Sequence, residues 1–196
     1  MNIFKKEGKI KPEELRVEKI TKSHLNFLNG FNSYEKELES FLKEDALEQQ
    51  ERNISVTYLW FLRENNELVA YITLSPDCIK LKNINEELSK KFRDKGINYK
   101  SLPALKIGRL CVCDNYLRKG VGTLLIQFTI KKAFEMSQSV GCRFIYLDAK
   151  RNKDKSKDVI HFYQKFGFEI YKDRNNKETP MYLDISPFIK ELTDLK

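Results

Sequence analysis

Two glycines one residue apart occur where the residue types could bind an anion. Gly120 and Gly122 follow an apolar stretch and open a segment of helical periodicity. The first N–H groups of a helix have no partner within it, and the helix dipole adds partial positive charge. Glycine lets a phosphate approach the backbone closely, and Arg118 and Lys119 add two cations. The spacing predicts phosphate binding, with an ordinary turn before a helix as the alternative.

The other reactive residue types do not form a second site of this kind. A P-loop and a complete Gly-x-Gly-x-x-Gly dinucleotide motif are both absent. Cysteines occur at 78, 111, 113 and 142, and the two histidines stand alone, so no metal site is predicted. We expect buried, reduced thiols, with Cys111 and Cys113 on one face of a strand.

Alternating and helical patterns predict the elements that hold this loop. Strands are predicted at 15–20, 54–63, 67–75, 104–113, 144–147, 168–173 and 180–185, and helices at 34–52, 85–93, 120–140 and 158–166. Asn65-Asn66 predicts a hairpin turn, and Pro76 is expected to close its second strand. The nearly apolar segment 104–113 favours a central strand. The pattern predicts one α/β domain, 1–196, with a mixed central sheet of about six to seven strands flanked by helices.

Composition narrows the class of partner. The 196 residues include 36 Lys+Arg and 28 Asp+Glu, a net charge of +8, which favours an anionic partner. Apolar residues make up 41% of the chain, enough for a substantial core. The sequence lacks a run of 18 apolar residues and an apolar leader, so we expect a cytoplasmic protein without membrane contact.

Two motifs resemble those of the GNAT N-acetyltransferases, and they occur in the same order as in that family. Leu117-Arg118-Lys119-Gly120-Val121-Gly122 is similar to the family's acetyl-CoA motif, Gln/Arg-x-x-Gly-x-Gly/Ala, at a strand-to-helix junction. His161–Phe168 is similar to its Phe/Leu-Tyr-x-x-x-Gly-Phe signature. The resemblance covers roughly 54–185 and departs at Leu117, where the family has Gln or Arg.

The resemblance implies a GNAT fold, acetyl-CoA as cosubstrate and a direct transfer of the acetyl group to an amine. It implies that the coenzyme pyrophosphate is bound by the backbone of Leu117, Arg118, Lys119, Gly120, Val121, Gly122 and Thr123. The pantetheine amides and the thioester carbonyl would bond to the backbone of Leu110, Cys111 and Val112. Tyr163 would protonate the leaving thiolate, and Asn152 would correspond to a family asparagine beside the coenzyme.

The general base is not singled out by the sequence, because Glu18, Glu37, Glu39 and Glu67 are equally conceivable. An α-amine, with a pKa of about 7.7–8.0, is partly neutral without a base, whereas a lysine, at about 10.4, needs one more. The acceptor therefore stays open among small amines, proteins and charged tRNA.

A narrower resemblance is to the tRNA-acetylating toxins among the GNATs, which acetylate the α-amine of aminoacyl-tRNA. It is carried by Glu37–Ala46, Thr57-Tyr58, Tyr71–Ser75, Pro103–Leu110 and Asp148-Ala149. Basic segments at 80–100, with seven basic and three acidic residues, and at 150–157 could contact RNA or be solvated surfaces. A non-catalytic module that binds coenzyme A or RNA is the alternative from another class, and a homodimer is also open.

Overall fold

The computed structural model describes residues 8–152, 159–171 and 178–189, and its strands form one mixed sheet. The strands are β1 (Leu15–Lys19), β2 (Val56–Leu62), β3 (Leu68–Lys80), β4 (Ser101–Val112), β5 (Phe144–Lys150), β6 (Glu169–Ile170) and β7 (Glu178–Asp184). Their order in the sheet is β1-β2-β3-β4-β5-β7-β6. This confirms the predicted mixed α/β sheet and the central place of β4.

Six α-helices have both ends within the described residues. They are α1 (Leu25–Leu28), α2 (Lys36–Glu44), α3 (Ala46–Glu51), α4 (Glu86–Asp94), α5 (Val121–Ser139) and α6 (Ile160–Gln164). The prediction of one continuous helix at 34–52 was wrong, because Asp45, at φ −108°, separates α2 from α3. Aspartate is a poor residue for a helix interior, since its side chain competes for backbone hydrogen bonds. No helix of these residues has the length and apolarity that crossing a membrane requires.

β3 continues past Pro76, so the prediction that this proline ends the strand was wrong. The antiparallel register of β3 with β2 ends at the pair Val56–Leu74, before the proline. Pro76 is exposed and removes no N–H from that ladder. The hairpin of β2 and β3 around Asn65-Asn66 is confirmed, and Asn66 takes a φ of 57°.

Backbone contacts divide the chain into two compact units. The first unit consists of Met1–Ser75 and Gly108–Phe128. Its core contains residues from β2, β3, α2 and the end of β4, including Phe41, Phe61 and Tyr71. Cys111 and Cys113 lie together in this core, which confirms that they share a face.

The second unit consists of Pro76–Ile107 and Thr129–Lys196. Its core packs α4 against the sheet, with Phe92 and Phe144 in edge-to-face contact at 6.2 Å. Cys142 is buried, but Cys78 is exposed, so the expectation of four buried thiols was wrong for Cys78. Cys78 stands on the part of β3 that extends beyond its pairing with β2.

Candidate active site

The loop before α5 twice takes the left-handed backbone conformation. Arg118 has a φ of 63° and Gly120 a φ of 87°. The Gly120 carbonyl accepts the N–H of Thr123 at 3.1 Å and of Leu124 at 3.4 Å, so intrahelical bonding begins there. Glycine tolerates this conformation, whereas a residue with a Cβ is destabilised by about 1–2 kcal/mol. Arg118 therefore holds a strained conformation directly beside the candidate phosphate site.

Backbone donor groups at the start of α5 have no acceptor in the part of the chain that the structure describes. Within the described part of the chain, the N–H groups of Gly120, Val121 and Gly122 donate to no protein oxygen. The first turn of α5 also lacks an acidic side chain. The partial positive charge of this helix end is therefore not neutralised locally, as anion binding requires.

A third cation, Lys9, lies beside this loop and was missed by sequence reasoning. The Ile10 N–H donates to the Lys119 carbonyl at 2.9 Å, which attaches the N-terminal segment to the loop. A Cβ added to Gly120 would lie 3.8 Å from the Cβ and Cγ atoms of Lys9. Lys9 is about 110 positions away in the sequence, so no local pattern could have placed it here.

The end of β4 presents the three residues implied to bind the pantetheine arm. β4 pairs with β5 in parallel from Ala104–Phe144 to Ile107–Leu147, and β4 then continues to Val112. The Cys111 thiol points into the core and donates to the Ser33 hydroxyl at 3.3 Å. Burial raises the pKa of this thiol to about 12, so it stays protonated and is a poor nucleophile. Cys111 can therefore serve a ligand only through its backbone.

Tyr163 lies in α6, in the second unit, and is 7% exposed. Its ring contacts Phe162 and Phe168 edge-to-face, with centroids 5.2 and 5.6 Å away. Gly167, at φ 84°, reverses the chain after the helix, and the Phe168 N–H donates to the Tyr163 carbonyl at 3.3 Å. The Tyr-x-x-x-Gly-Phe spacing thus folds the phenylalanine back onto the tyrosine and fixes the ring.

The remaining implied residue, Asn152, is half-buried just after β5 in the second unit. Most of the basic loop 150–157 lies outside the described residues. His161 is exposed on α6, two positions from the buried Tyr163. The structure thus brings together Leu110–Val112 and Leu117–Thr123 in the first unit, and Asn152 and Tyr163 belong to the second.

Two of the four candidate bases, Glu18 and Glu39, already have hydrogen-bond or ion-pair partners. The Glu39 carboxylate accepts bonds from Lys36, Lys43 and the Ser33 N–H, which lower its pKa to about 2. Glu18 bonds to His24 Nε2 at 2.9 Å and forms an ion pair with Arg16. The lowered pKa makes the Glu39 carboxylate a weak proton acceptor.

The basic segment 80–100 is mostly exposed around α4. Two of its cations form ion pairs within the helix, Lys91 with Glu87 and Arg93 with Glu86. In the described residues no carboxylate lies within ion-pair distance of the other five, which are Lys80, Lys82, Lys90, Lys95 and Lys100. Tyr99, between the last two, is 69% exposed.

Family comparison agrees with this fold and loop. The model of the acetyltransferase (GNAT) family matches residues 25–168, which include both motifs. The chain therefore belongs to the GNAT acetyltransferases and uses acetyl-CoA as its acetyl donor. Among curated proteins, none matched the chain significantly.

Solved structures of similar fold include toxins. A tyrosine-to-phenylalanine mutant of KacT has a TM-score of 0.74 and 24% identity, covering 93% of this chain and 99% of that one. AtaT complexed with acetyl-methionyl-tRNAfMet has a TM-score of 0.74 and 20% identity, covering 91% and 99%. AtaTR bound with acetyl-CoA has a TM-score of 0.71 and 23% identity, covering 92% and 99%. At these identities the likeness establishes the fold.

Proposed function

We propose that the chain transfers the acetyl group of acetyl-CoA to the α-amine of an aminoacyl-tRNA, and that Leu117–Thr123 binds the coenzyme pyrophosphate. The observation that carries the cofactor site is the loop itself. Arg118 and Gly120 turn it twice into the left-handed region, and three N–H groups have no acceptor among the described residues. A pyrophosphate would satisfy those donors, and Lys9 and Lys119 add charge beside it.

The thioester is held, in this proposal, by the backbone of Leu110, Cys111 and Val112. The pantetheine amides add to this part of β4 as a short extra strand. One N–H of the segment polarises the thioester carbonyl as it gains negative charge. The buried, protonated Cys111 thiol takes no part, so the acetyl group passes directly from sulfur to the acceptor.

Tyr163 is the proposed general acid. The acceptor nitrogen attacks the carbonyl carbon, an N–C bond forms, and the C–S bond breaks as its electrons move to sulfur. The Tyr163 hydroxyl gives its proton to that sulfur, and the proton lost by nitrogen passes to solvent and then restores the phenol. A thiol, at about 8.5, and a phenol, at about 10, have pKa values close enough for this exchange.

An α-amine suits a site without a dedicated base. At neutral pH a share of such amines is already unprotonated, and Glu18 and Glu39 are held by other partners. One of the similar structures is that of AtaT complexed with acetyl-methionyl-tRNAfMet, which is the product of this kind of transfer. The exposed cations of 80–100 fit an RNA acceptor. Single domain organisation over 1–196 and a cytoplasmic location remain parts of the same proposal.

An acceptor screen with labelled acetyl-CoA tests the acceptor. Charged tRNA, polyamines, amino acid amides and lysine peptides are offered in parallel to the full chain. Label on charged tRNA that is released by ester hydrolysis as N-acetyl amino acid supports the proposal. Transfer to polyamines or peptides but never to charged tRNA contradicts it, and binding of coenzyme A without any transfer indicates the non-catalytic module.

A further inference from the structure

β4 carries Arg109 one residue before the segment that we assign to the thioester. Consecutive Cα atoms are about 3.8 Å apart, so Arg109 adjoins the backbone of Leu110. Its side chain lies on the face of β4 that packs against α2, because its Cζ atom is 5.0 Å from the centroid of the Phe41 ring. Sequence reasoning gave Arg109 no role beyond its place in the resemblance.

The guanidinium of Arg109 is held in position from two sides. One Nη donates to the Gly108 carbonyl at 2.8 Å, and the Phe41 ring supports the plane. Phe41 is itself 7% exposed and stacks on Tyr71 at 6.3 Å. The Tyr71 hydroxyl donates to the carbonyl of Leu38 in α2 at 2.6 Å. The cation is therefore fixed to the helix and the sheet together.

Within the described residues, Arg109 lacks the carboxylate partner that the half-buried Arg16 and Arg143 have. In the described residues no carboxylate oxygen lies within 4.0 Å of its nitrogens, whereas four other arginines form such pairs, namely Arg16, Arg52, Arg93 and Arg143. A guanidinium has five N–H donors in a planar fork, and one bond to Gly108 leaves most of them available. That geometry matches a phosphate, which accepts two parallel bonds.

We propose that Arg109 binds a backbone phosphate at the single-stranded 3′ end of the RNA acceptor. This inference rests on the proposed function. In an aminoacyl-tRNA the reacting amine is carried on the terminal ribose, and the nearest phosphodiester is on the other side of that sugar. An amine placed at the thioester of Leu110–Val112 brings this phosphate close to the preceding residue, Arg109. Small amines have no such group, so Arg109 favours RNA over them.

The test compares Arg109→Gln and Arg109→Lys with wild type and with Arg52→Gln. Arg52 is an exposed arginine of the same unit, paired with Glu48, and its variant removes the same charge. Two quantities are measured between 50 and 300 mM salt. These are the Kd for an uncharged RNA minihelix that copies a tRNA acceptor stem with its 3′ end, and the KM for a methionine ester that has no phosphate.

For Arg109→Gln we expect about a tenfold higher Kd for RNA at about 0.1 M salt and a salt slope smaller by about 0.7, the value for one phosphate of a single strand. The KM for the ester stays unchanged, and Arg109→Lys keeps the slope but loses part of the affinity, because it cannot bond twice. A structural role alone would lower the melting temperature without changing the slope.

The inference would be overturned if Arg109→Gln and Arg52→Gln had the same RNA affinity and the same salt slope. It would also be overturned if Arg109→Gln raised the KM for the ester by the same factor as the Kd for RNA. In that case, label on charged tRNA would still uphold the proposed function. If wild type neither binds the minihelix nor acetylates charged tRNA, the acceptor and the role of Arg109 both fail.

Discussion

Tyr163 combines burial with a fixed ring, and these are conditions that a proton donor to a leaving thiolate requires. It is 7% exposed and lies between Phe162 and Phe168, so its hydroxyl has few alternative positions. We expect Tyr163→Phe to lower kcat by at least about tenfold and to leave the KM for acetyl-CoA near its original value, because only the proton is lost. Steady-state kinetics with a saturating acceptor measure both constants.

The matched control is Tyr34→Phe, which removes a hydroxyl from a tyrosine that is 42% exposed and outside both motifs. Its kcat should equal that of wild type. Trp60, the single tryptophan, packs at 5.5 Å on Phe128 of α5 and reports folding by its fluorescence. If Tyr163→Phe had the same unfolding curve and the same kcat as wild type, Tyr163 would not be the general acid.

The start of α5, where we propose that the pyrophosphate binds, requires one particular backbone conformation at Gly120. Gly120→Ala and Gly120→Glu share the strain at φ 87°, so each should lose about 2–4 °C in Tm, corresponding to about 1 kcal/mol. Coenzyme A at 100 times its Kd should raise the Tm of wild type by about 5–10 °C. Gly120→Ala should keep part of that rise, and Gly120→Glu should lose it, because the carboxylate repels the pyrophosphate.

Thermal shift measurements with coenzyme A separate these effects, because the two variants differ in charge while they share the backbone strain. A full ligand-dependent rise in Gly120→Glu would mean that the coenzyme binds elsewhere in the chain, and the assignment of Leu117–Thr123 would be wrong.

The first turn of α2 depends on a carboxylate. Glu39 accepts from the Ser33 N–H at 3.0 Å and pairs with Lys36 and Lys43, and these bonds lower its pKa from 4.5 to about 2. A lowered pKa stabilises the fold above pH 4.5, and that contribution is lost as pH falls from 4.5 toward 2. Glu39→Gln should therefore lower Tm by about 2 °C at pH 7, and the difference should shrink below pH 4.

Melting curves of wild type and Glu39→Gln from pH 7 to pH 3 test this dependence. Glu48→Gln, which removes a carboxylate with one exposed partner, should show a smaller difference. A Tm difference in Glu39→Gln that stays constant down to pH 3 would contradict the assigned pKa.

Elements that depend on interactions between neighbouring residues were predicted correctly from the sequence, and features that depend on distant segments were not. Periodicity and turn residues predicted the β2–β3 hairpin, the central β4 and the long α5, because each depends on neighbours in the chain. The passage of β3 through Pro76 was missed because it depends on where the partner strand β2 ends. The break at Asp45 was missed although aspartate is a poor residue for a helix interior. Lys9 beside Gly120 and Arg109 over Phe41 are contacts between distant segments, so no local pattern could predict them.

On the scale of the whole molecule, the net charge of +8 indicates particular surfaces once the cations that form ion pairs are left out. In 80–100, Lys91 and Arg93 are paired with glutamates. Lys95 and Lys100 flank the exposed Tyr99, an arrangement suited to phosphates with a base stacked between them. If this surface binds the acceptor RNA, the apparent affinity for charged tRNA should fall steeply with salt, whereas that for a methionine ester should not.

The corresponding double variant, Lys95→Gln with Lys100→Gln, should reduce the slope of log KM against log salt by about 1.5, because two phosphate contacts are lost. Its control, Lys22→Gln with Lys131→Gln, has the same net charge but changes exposed lysines outside the segment. The kcat should be equal in all three proteins, because no residue of the transfer step is altered. Equal slopes in the two double variants would show that 80–100 is a solvated face, and that charge elsewhere in the chain binds the RNA.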